Sequence, residues 1–456
     1  MMLLVLFAFA FAFLLPAFDI MAWFLSNKRA ALAFNIVFLL MLAGTSIEIY
    51  ISGISSSYYN LISVSPFSAF FAMLFSAGML LVSLIAYSYS KDYLEFSILA
   101  GFALLGMLAV SFASSLLMIL VGLELASLPS VFIVLLSRRN SLEAATKYLI
   151  MSAFVIAFLA FALVLLFGSS NSLSLSGTGK SLFSLLALIF FFASLGFDSA
   201  QFPFGVLLPD IYQGSGAYAT AMLGGVNKKL GFAALIQVLI LVFVSFRSAF
   251  IIAAILATLT MFYGNISALM QKNLKRLFAY SSISQAGYIM IGIATATVGG
   301  LAASLVQIFA HMFLFIGVLA VIAWLESKGR EDLDGLIGLN NENKIAAISM
   351  TMFMLSMVGL PFTTGFVGKF LLFLNATLSG LVWLAILGII NSVISIFYYA
   401  KAITAIFTNK YEARRASMGY ATFAVVVACL AITLLLGIYP SPLIGFATSA
   451  ARALMH

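Results

Sequence analysis

The segment LAASLVQIFAHMFLFIGVLAVIAWL, residues 301–325, runs for 25 positions without an Asp, Glu, Lys or Arg. A helix needs about 20 apolar residues to cross the hydrocarbon core of a bilayer, so this segment is long enough to span one. Its apolar residues are continuous and do not alternate with a period of two, which favours a helix over a strand of a membrane barrel. The segment therefore predicts a transmembrane helix.

Comparable segments fill the chain, whose 456 residues are 64% hydrophobic and only 8% charged. A soluble domain carries about 25% charged residues. We predict an all-α membrane protein that forms one polytopic domain over residues 1–456. The fourteen predicted spans lie near residues 2–18, 30–51, 66–89, 95–112, 115–136, 143–168, 182–212, 216–245, 249–270, 275–296, 299–325, 345–375, 379–407 and 417–438.

The basic residues test this map of spans. Fourteen of the 22 Lys and Arg residues follow odd-numbered spans, Lys410, Arg414 and Arg415 among them, and only three follow even-numbered spans or lie in the tail. The positive-inside rule places the odd loops in the cytoplasm. We therefore expect a protein of the prokaryotic plasma membrane with both termini outside, in which the net charge of +8 reflects topology and not a nucleic-acid surface.

Few side chains are suited to redox chemistry. The chain has one cysteine, Cys429, and two histidines, His311 and His456. One thiol cannot hold an iron–sulfur cluster, and two histidines are too few for a histidine-based metal or haem site. The sequence predicts no cofactor on this chain.

The seventh and twelfth spans are too long for a straight crossing, and each carries a proline in its middle. Pro203 lies in GFDSAQFPFGVLLPD, residues 196–210, and Pro361 lies in GLPFTTGFVGKF, residues 359–370. Proline removes a backbone donor and breaks a helix, and broken helices mark ion pathways in transporters. The two breaks are five spans apart, the odd spacing that an inverted repeat of spans 4–8 and 9–13 requires. The predicted divisions are the N-terminal helices at 1–94, a first repeat at 95–245, a second repeat at 249–407, and a last helix and tail at 408–456.

Ionisable side chains within the predicted spans are the candidate functional residues. A charged group at the centre of a bilayer costs about 2.5–3.5 kcal/mol on insertion scales. Burial shifts the pKa of both carboxyls and amines towards neutrality, where they can load and release protons. The sequence predicts a relay from Glu124 through Lys147, Asp198 and Lys228 to Lys369. Static ion pairs that fix helix packing are the alternative. Two further candidates are Lys229 and His311, the latter as a member of the relay between Lys228 and Lys369 or as a packing residue.

Four motifs resemble the antiporter-like subunits of respiratory complex I, and among these the N-type (ND2-type) subunit. The resemblance covers roughly residues 65–405. The motifs are VGLELASLP with SLEAATKYLIMSAF (121–129 and 141–154), PFGVLLPDIYQG (203–214), NLKRLFAYSSISQAGY (273–288) and GLPFTTGFVGKF (359–370).

The resemblance implies a role for four residues. Glu124 and Lys147 match the Glu–Lys pair of spans 5 and 6, Lys228 matches the connecting lysine of span 8, and Lys369 matches the exit-side lysine of span 12. It also implies a proton-translocating subunit of an NADH (or other donor):quinone oxidoreductase. Its partners would be neighbouring antiporter-like and small membrane-arm subunits, and partner subunits would carry iron–sulfur clusters, possible flavin and bound quinone.

The sequence departs from the family pattern at two positions. Asp198 stands where the family has lysine, and Gly205 stands where it has histidine. Lys229 has no counterpart in the pattern, and we expect it to balance the charge of Asp198.

Other functions remain open at this point. The same module occurs in multisubunit cation/proton antiporters and membrane-bound hydrogenases, and the coupling ion can be H⁺ or Na⁺. A stand-alone secondary transporter would need polar groups clustered on the broken helices. An intramembrane enzyme lacks a recognisable motif here, and a passive scaffold within a complex would not need the buried charges. The electron donor and the quinone are not specified by the sequence.

Overall fold

The computed structural model describes residues 2–53, 55–58, 61–408 and 416–455. Lys410, Arg414, Arg415 and His456 lie outside the described residues. The described helices, in chain order, are α1 (Met2–Phe24), α2 (Lys28–Ser52), α3 (Pro66–Tyr89), α4 (Tyr93–Ser111), α5 (Leu116–Ser137), α6 (Leu142–Ser170), α7 (Leu182–Asp198), α8 (Leu208–Gly214), α9 (Ala217–Ala221), α10 (Lys228–Gln237), α11 (Arg247–Leu269), α12 (Leu274–Ala294), α13 (Val298–Glu326), α14 (Leu339–Glu342), α15 (Lys344–Val358), α16 (Thr364–Leu378), α17 (Val382–Phe407), α18 (Tyr420–Ile438) and α19 (Ser441–Met455).

Shorter elements complete the chain. Strands β1 (Ser56–Tyr58) and β2 (Ile62–Val64) pair antiparallel between α2 and α3. Two π-helical segments, Met222–Asn227 and Val238–Val242, continue α9 and α10 into a helix of 26 residues from Ala217 to Val242. The described part of the chain is therefore mostly helical, with one pair of short antiparallel strands.

Eleven helices of the described part are long and apolar enough to cross a membrane. Four shorter apolar helices accompany them, namely Phe13–Phe24, Leu182–Asp198, Lys344–Val358 and Thr364–Leu378. The last three occupy the predicted spans 182–212 and 345–375, neither of which is one continuous helix. The total of fourteen crossings stays a prediction.

The chain leaves the helix at Asp198 and re-enters helical turns only at Phe204. Ala200 in this interruption has a φ of 58°, and Pro203 has no backbone donor. A side chain at Gly205 would place its Cβ 2.8 Å from the carbonyl oxygen of Ala200. The close approach of backbone to backbone explains why glycine stands at 205, where the resemblance led us to expect histidine.

A second interruption separates α15 from α16. Gly359 has a φ of 112° and Phe362 one of 65°, with Pro361 between them. A Cβ on Gly365 would lie 2.0 Å from the carbonyl oxygen of Ser356, so the two helix ends overlap closely. Backbone carbonyls near the C-terminal end of α15 therefore lose their helical partners and become available to other donors.

Polar side chains are concentrated in the central helices. Every residue in the most apolar 18-residue window of α13 is buried, against 28% of the corresponding window in α2. The outer helices instead expose Leu, Ile and Phe side chains, which suits contact with lipid. The interior position of α12 and α13 places their hydroxyls, amides and histidine where helices meet and away from lipid.

Candidate functional site

Lys228 lies at the centre of the helical bundle, at the start of α10. A π-helical segment ends immediately before it, and such widened turns are frequent at functional sites. Its Nζ donates to the backbone oxygen of Ser282 at 2.5 Å and to the hydroxyl of Ser282 at 3.0 Å. The amine is thus bound only by neutral oxygens on α12.

Lys229 and His311 form a second buried contact. The Nζ of Lys229 lies 2.6 Å from Nδ1 of His311 and 3.0 Å from the backbone oxygen of Gly224. Two nitrogens at this distance share one proton, because only one of them can donate to the other. The other ring nitrogen of His311, Nε2, is buried without a hydrogen-bond partner. We considered His311 either as a relay member between Lys228 and Lys369 or as a packing residue; its partner in the structure is Lys229, and its role stays a prediction.

Two glutamines lie near His311 and make polar contacts of their own. Gln307 lies one turn earlier on α13, and its Nε2 donates to Oε1 of Gln285 on α12 at 2.8 Å. The Nε2 of Gln285 in turn donates to the backbone oxygen of Met357 at 3.2 Å. Met357 is next to the end of α15, so the contacts reach the second interruption.

Lys369 lies at that interruption. Its Nζ donates to the backbone oxygen of Val358 at 3.0 Å and to the hydroxyl of Ser392 at 3.2 Å. It also lies 4.2 Å from the ring centre of Tyr288, whose hydroxyl accepts from Ser392. In a continuous helix the carbonyl of Val358 would accept from residue 362. The break frees that carbonyl for the lysine.

Asp198 is the last residue of α7, beside the first interruption. Its Oδ2 is buried without a hydrogen-bond partner. A Cβ on Gly231 would lie 2.8 Å from this oxygen, so Asp198 packs directly against α10. No ion pair joins Asp198 to a cation of the described residues, and the Nζ of Lys229 contacts His311 instead, so the balance between Lys229 and Asp198 stays a prediction. The side chain of Lys229 is directed towards α13.

Lys147 pairs at the edge of the bundle, five residues inside α6. Its Nζ lies 2.7 Å from Glu143 and 2.9 Å from Asp210, and Asp210 also binds Arg276 at 2.5 Å. Glu143, Lys147 and Asp210 line an open cavity of about 330 Å³. The expected pair of Lys147 with Glu124 is absent: Glu124 is half-buried on α5 and makes no ion pair with a described residue.

A second group of charged side chains lies nearby, close to the end of α5, the start of α12 and the end of α13. The side chain of Lys275 is fully buried and lies 2.6 Å from Glu326. Arg138 binds Glu331, with one guanidinium nitrogen 3.0 Å from the carboxylate. Burial raises the pKa of Glu331, but the hydrogen bond from Arg138 and the charge of Lys275 outweigh it and hold that pKa below its ordinary value.

Comparison with known proteins shows the family of this chain. A family model described as NADH:quinone oxidoreductase/Mrp antiporter, TM, matches residues 113–395, more than half of the chain. The chain belongs to this family. The match spans both interruptions and every buried lysine described above, so the fold is antiporter-like and the protein is an integral membrane protein.

Three relatives within the family are informative. F(420)H(2) dehydrogenase subunit N of Methanosarcina mazei is 33% identical over 420 residues, covering 86% of this chain and 85% of that protein. NADH-quinone oxidoreductase subunit N 1 of Chloroherpeton thalassium is 33% identical over 414 residues, covering 86% of each chain. A chain in the structure of respiratory complex I from Thermus thermophilus with bound aureothin has a TM-score of 0.83 and 28% identity, covering 96% of this chain and 98% of that one. These comparisons confirm the resemblance to subunit N.

Sequence reasoning missed several charged residues at this edge of the helical bundle. Asp210 lies inside the motif PDIYQG, and Lys275 and Arg276 lie inside NLKRLF, but we interpreted those basic residues only as topology signals. Glu326 went unnoticed at the end of a long apolar span. The available signal was the presence of opposite charges at three predicted helix ends on one side of the membrane.

Proposed function

We propose that this chain is a proton-translocating membrane-arm subunit of a complex I-type donor:quinone oxidoreductase. The observation that carries the proposal is a line of buried polar side chains that ends at the second interruption. Lys228 and Lys229 lie at one end of this line, Gln285 and Gln307 lie between, and Lys369 lies at the other end. Family membership and subunit N relatives support the same function.

The chemistry of the line suits transfer of charge better than static packing. Each of the three buried lysines has only neutral partners among the described residues, so no fixed carboxylate holds its proton. Desolvation disfavours the charged form of any buried amine. A proton that binds one amine raises the free energy of the protonated form of a neighbouring amine. Two unit charges about 6 Å apart, at an effective dielectric constant of about 20, repel each other by nearly 3 kcal/mol. Arrival at one lysine therefore favours departure from the next.

The ends of the pathway follow from the same contacts. Lys147 and Asp210 border the open cavity and form the proposed cytoplasmic entrance, with Asp198 beside the first interruption and Glu124 on the adjacent helix. Lys369 forms the proposed exit. Both chain termini lie on the outer side of a prokaryotic plasma membrane, and residues 95–245 and 249–407 form the two inverted repeats.

The chain contributes no redox centre in this proposal. Partner subunits supply the iron–sulfur clusters, with or without flavin, and bind the quinone, while neighbouring antiporter-like and small membrane subunits flank this one. The donor is NADH or another reduced carrier. A cation/proton antiporter is the second candidate function, because the family that matches residues 113–395 includes the Mrp antiporters.

The test is donor-driven proton uptake into sealed vesicles that contain the assembled complex. Lys228→Ala is expected to lower proton uptake per electron while the complex remains assembled. Lys401→Ala is the matched control, because Lys401 is exposed near the end of α17 and should leave uptake unchanged.

Unaltered uptake in assembled Lys228→Ala would show that the chain is a scaffold or moves protons by another route. Proton movement that requires an imposed Na⁺ gradient and no electron donor would favour the antiporter. Uptake that depends on the donor and is insensitive to Na⁺ supports the proposed function.

A further inference from the structure

A buried carboxyl lies outside the pathway described above. Asp19 on α1 has no exposed surface, and the Nδ2 of Asn35 on α2 donates to its two oxygens at 3.2 and 3.3 Å. The same amide nitrogen lies 3.3 Å from the hydroxyl of Ser97 on α4 and 2.9 Å from the backbone oxygen of Ala31. Three helices thus meet at one acidic side chain.

The helices around Asp19 bring neutral groups to it. From α3, the hydroxyl of Ser83 lies 3.5 Å from Oδ1 of Asn35. From α4, Ser97 and the fully buried Tyr93 face the cluster. None of the described residues places a Lys, Arg or His nitrogen within 4.0 Å of an Asp19 oxygen.

The nearest charged groups of these helices are engaged elsewhere. Lys28 at the start of α2 donates to the backbone oxygen of Ser90 at 3.4 Å and lies over the rings of Tyr87 and Tyr93, 4.8 and 5.4 Å from their centres. Glu95 on α4 accepts from the indole nitrogen of Trp23 at 3.0 Å. Asp19 therefore has no countercharge of its own.

We propose that Asp19 is a proton-binding site that holds a proton as a carboxylic acid in the resting protein. An unpaired carboxylate in a membrane interior costs several kcal/mol, and hydrogen bonds from a single amide offset only part of that cost. As an acid, Asp19 keeps one oxygen as acceptor for Asn35 and gains a donor for the hydroxyl of Ser97. Both carboxyl oxygens of Asp19 then have a hydrogen-bond partner.

The ligand is a proton and not a metal cation. A bound Na⁺ would need the amide oxygen of Asn35 to face the carboxylate, but that amide turns its nitrogen to both oxygens. The oxygen of the amide is directed towards Ser83 instead. The geometry thus supplies hydrogen-bond donors where a metal requires oxygen ligands.

The site lies within reach of the membrane surface and is separate from the buried lysines. Asn35 is seven residues from the start of α2, about 10 Å along a helix that rises 1.5 Å per residue. Asp19, Asn35, Ser83 and Ser97 all precede residue 113, where the family match begins. None of the four contacts Lys228, Lys229 or Lys369. The N-terminal helices therefore bind a proton independently of the proposed pathway.

The test is infrared spectroscopy of the purified complex at neutral pH, comparing wild type with Asp19→Asn. We expect the variant to lose one carbonyl stretch of a protonated carboxylic acid, a band that shifts when the solvent is D₂O. Asp210→Asn is the matched control: Asp210 pairs with Lys147 and Arg276, so its replacement should remove a carboxylate band and no acid band.

A second variant covers the case in which Asp19→Asn fails to assemble. Ser97→Ala keeps the acid but removes the acceptor of its hydroxyl, so the acid band should move to a higher frequency without loss of intensity. An acid region that is identical in wild type and in either assembled variant would show that Asp19 is ionised, and would overturn the proposal. Loss of a carboxylate band that depends on Na⁺ would do the same and would identify a cation site.

Discussion

The centre of the bundle and its edge both contain lysines, but the side chains around those lysines differ between the two regions. At the edge, Lys147 and Lys275 are paired with carboxylates at 2.9 and 2.6 Å. At the centre, Lys228 and Lys369 have only carbonyl, hydroxyl and aromatic partners. A paired charge is held in one protonation state, whereas an uncompensated buried amine gains or loses a proton when a nearby charge changes. The difference teaches that the edge holds its lysines in ion pairs, whereas the lysines of the centre are free to exchange protons.

The largest effect is expected from a central lysine. Lys369→Met removes the amine that lies at the second interruption and should lower donor-driven proton uptake about tenfold or more, since positioned acid–base groups contribute ~10²–10⁴ in rate. Proton uptake by sealed vesicles measures it, with Lys401→Met as the control. Full uptake in the assembled Lys369 variant would remove the distinction between centre and edge.

Replacement of an edge lysine should lower the stability of the folded protein more than it lowers proton transport. Lys275→Met leaves Glu326 without its closest cation and is expected to destabilise the folded protein by about 3 kcal/mol, as for other broken buried pairs. The midpoint of thermal unfolding of the purified complex measures this change. Arg139→Met is the control, because Arg139 is exposed. An unchanged midpoint together with lost proton uptake would assign Lys275 to the pathway.

The first interruption depends on close backbone packing. Gly205→Ala introduces a Cβ 2.8 Å from the carbonyl oxygen of Ala200, which forces the backbone to shift and should cost about 1–3 kcal/mol. Thermal unfolding again measures the loss. Gly44→Ala is the matched variant, since a Cβ there meets no atom within 4 Å. Equal midpoints for both variants would contradict the close approach at Gly205.

The smallest effect is expected at the ion pair between Glu331 and Arg138, which is partly exposed to solvent. Because the pKa of Glu331 is lower in the folded protein, its contribution is present above the pKa of an unfolded glutamate and disappears as the pH falls through the folded value. Arg138 is more than a third exposed, so solvent reduces this contribution to below about 1 kcal/mol.

The measurement is the difference in unfolding midpoint between wild type and Glu331→Gln across the acidic pH range. Wild type should be the more stable at neutral pH, and the two should converge in acid. A difference that grows as the pH falls would reverse the sign assigned to Glu331.

The sequence alone determined most of the fold. Apolar runs such as 301–325 must be helices in a membrane, because backbone polar groups in lipid have to be satisfied within the segment. The four motifs, which contain Glu124, Lys147 and Lys369, were sufficient to predict the family. The positions of Pro203 and Pro361 likewise marked where the helical chain is interrupted.

Only the tertiary structure decided which charges meet. From sequence, Lys147 suited Glu124 and Lys229 suited Asp198, yet the folded chain pairs Lys147 with Asp210 and turns Lys229 towards His311. Asp19 lay just outside the first predicted span and was not considered. The physical reason is that an apolar run fixes that a helix crosses the membrane but not its rotation about its own axis. That rotation is set by packing against neighbouring helices, and a change of one residue, about 100°, directs a side chain to a different partner.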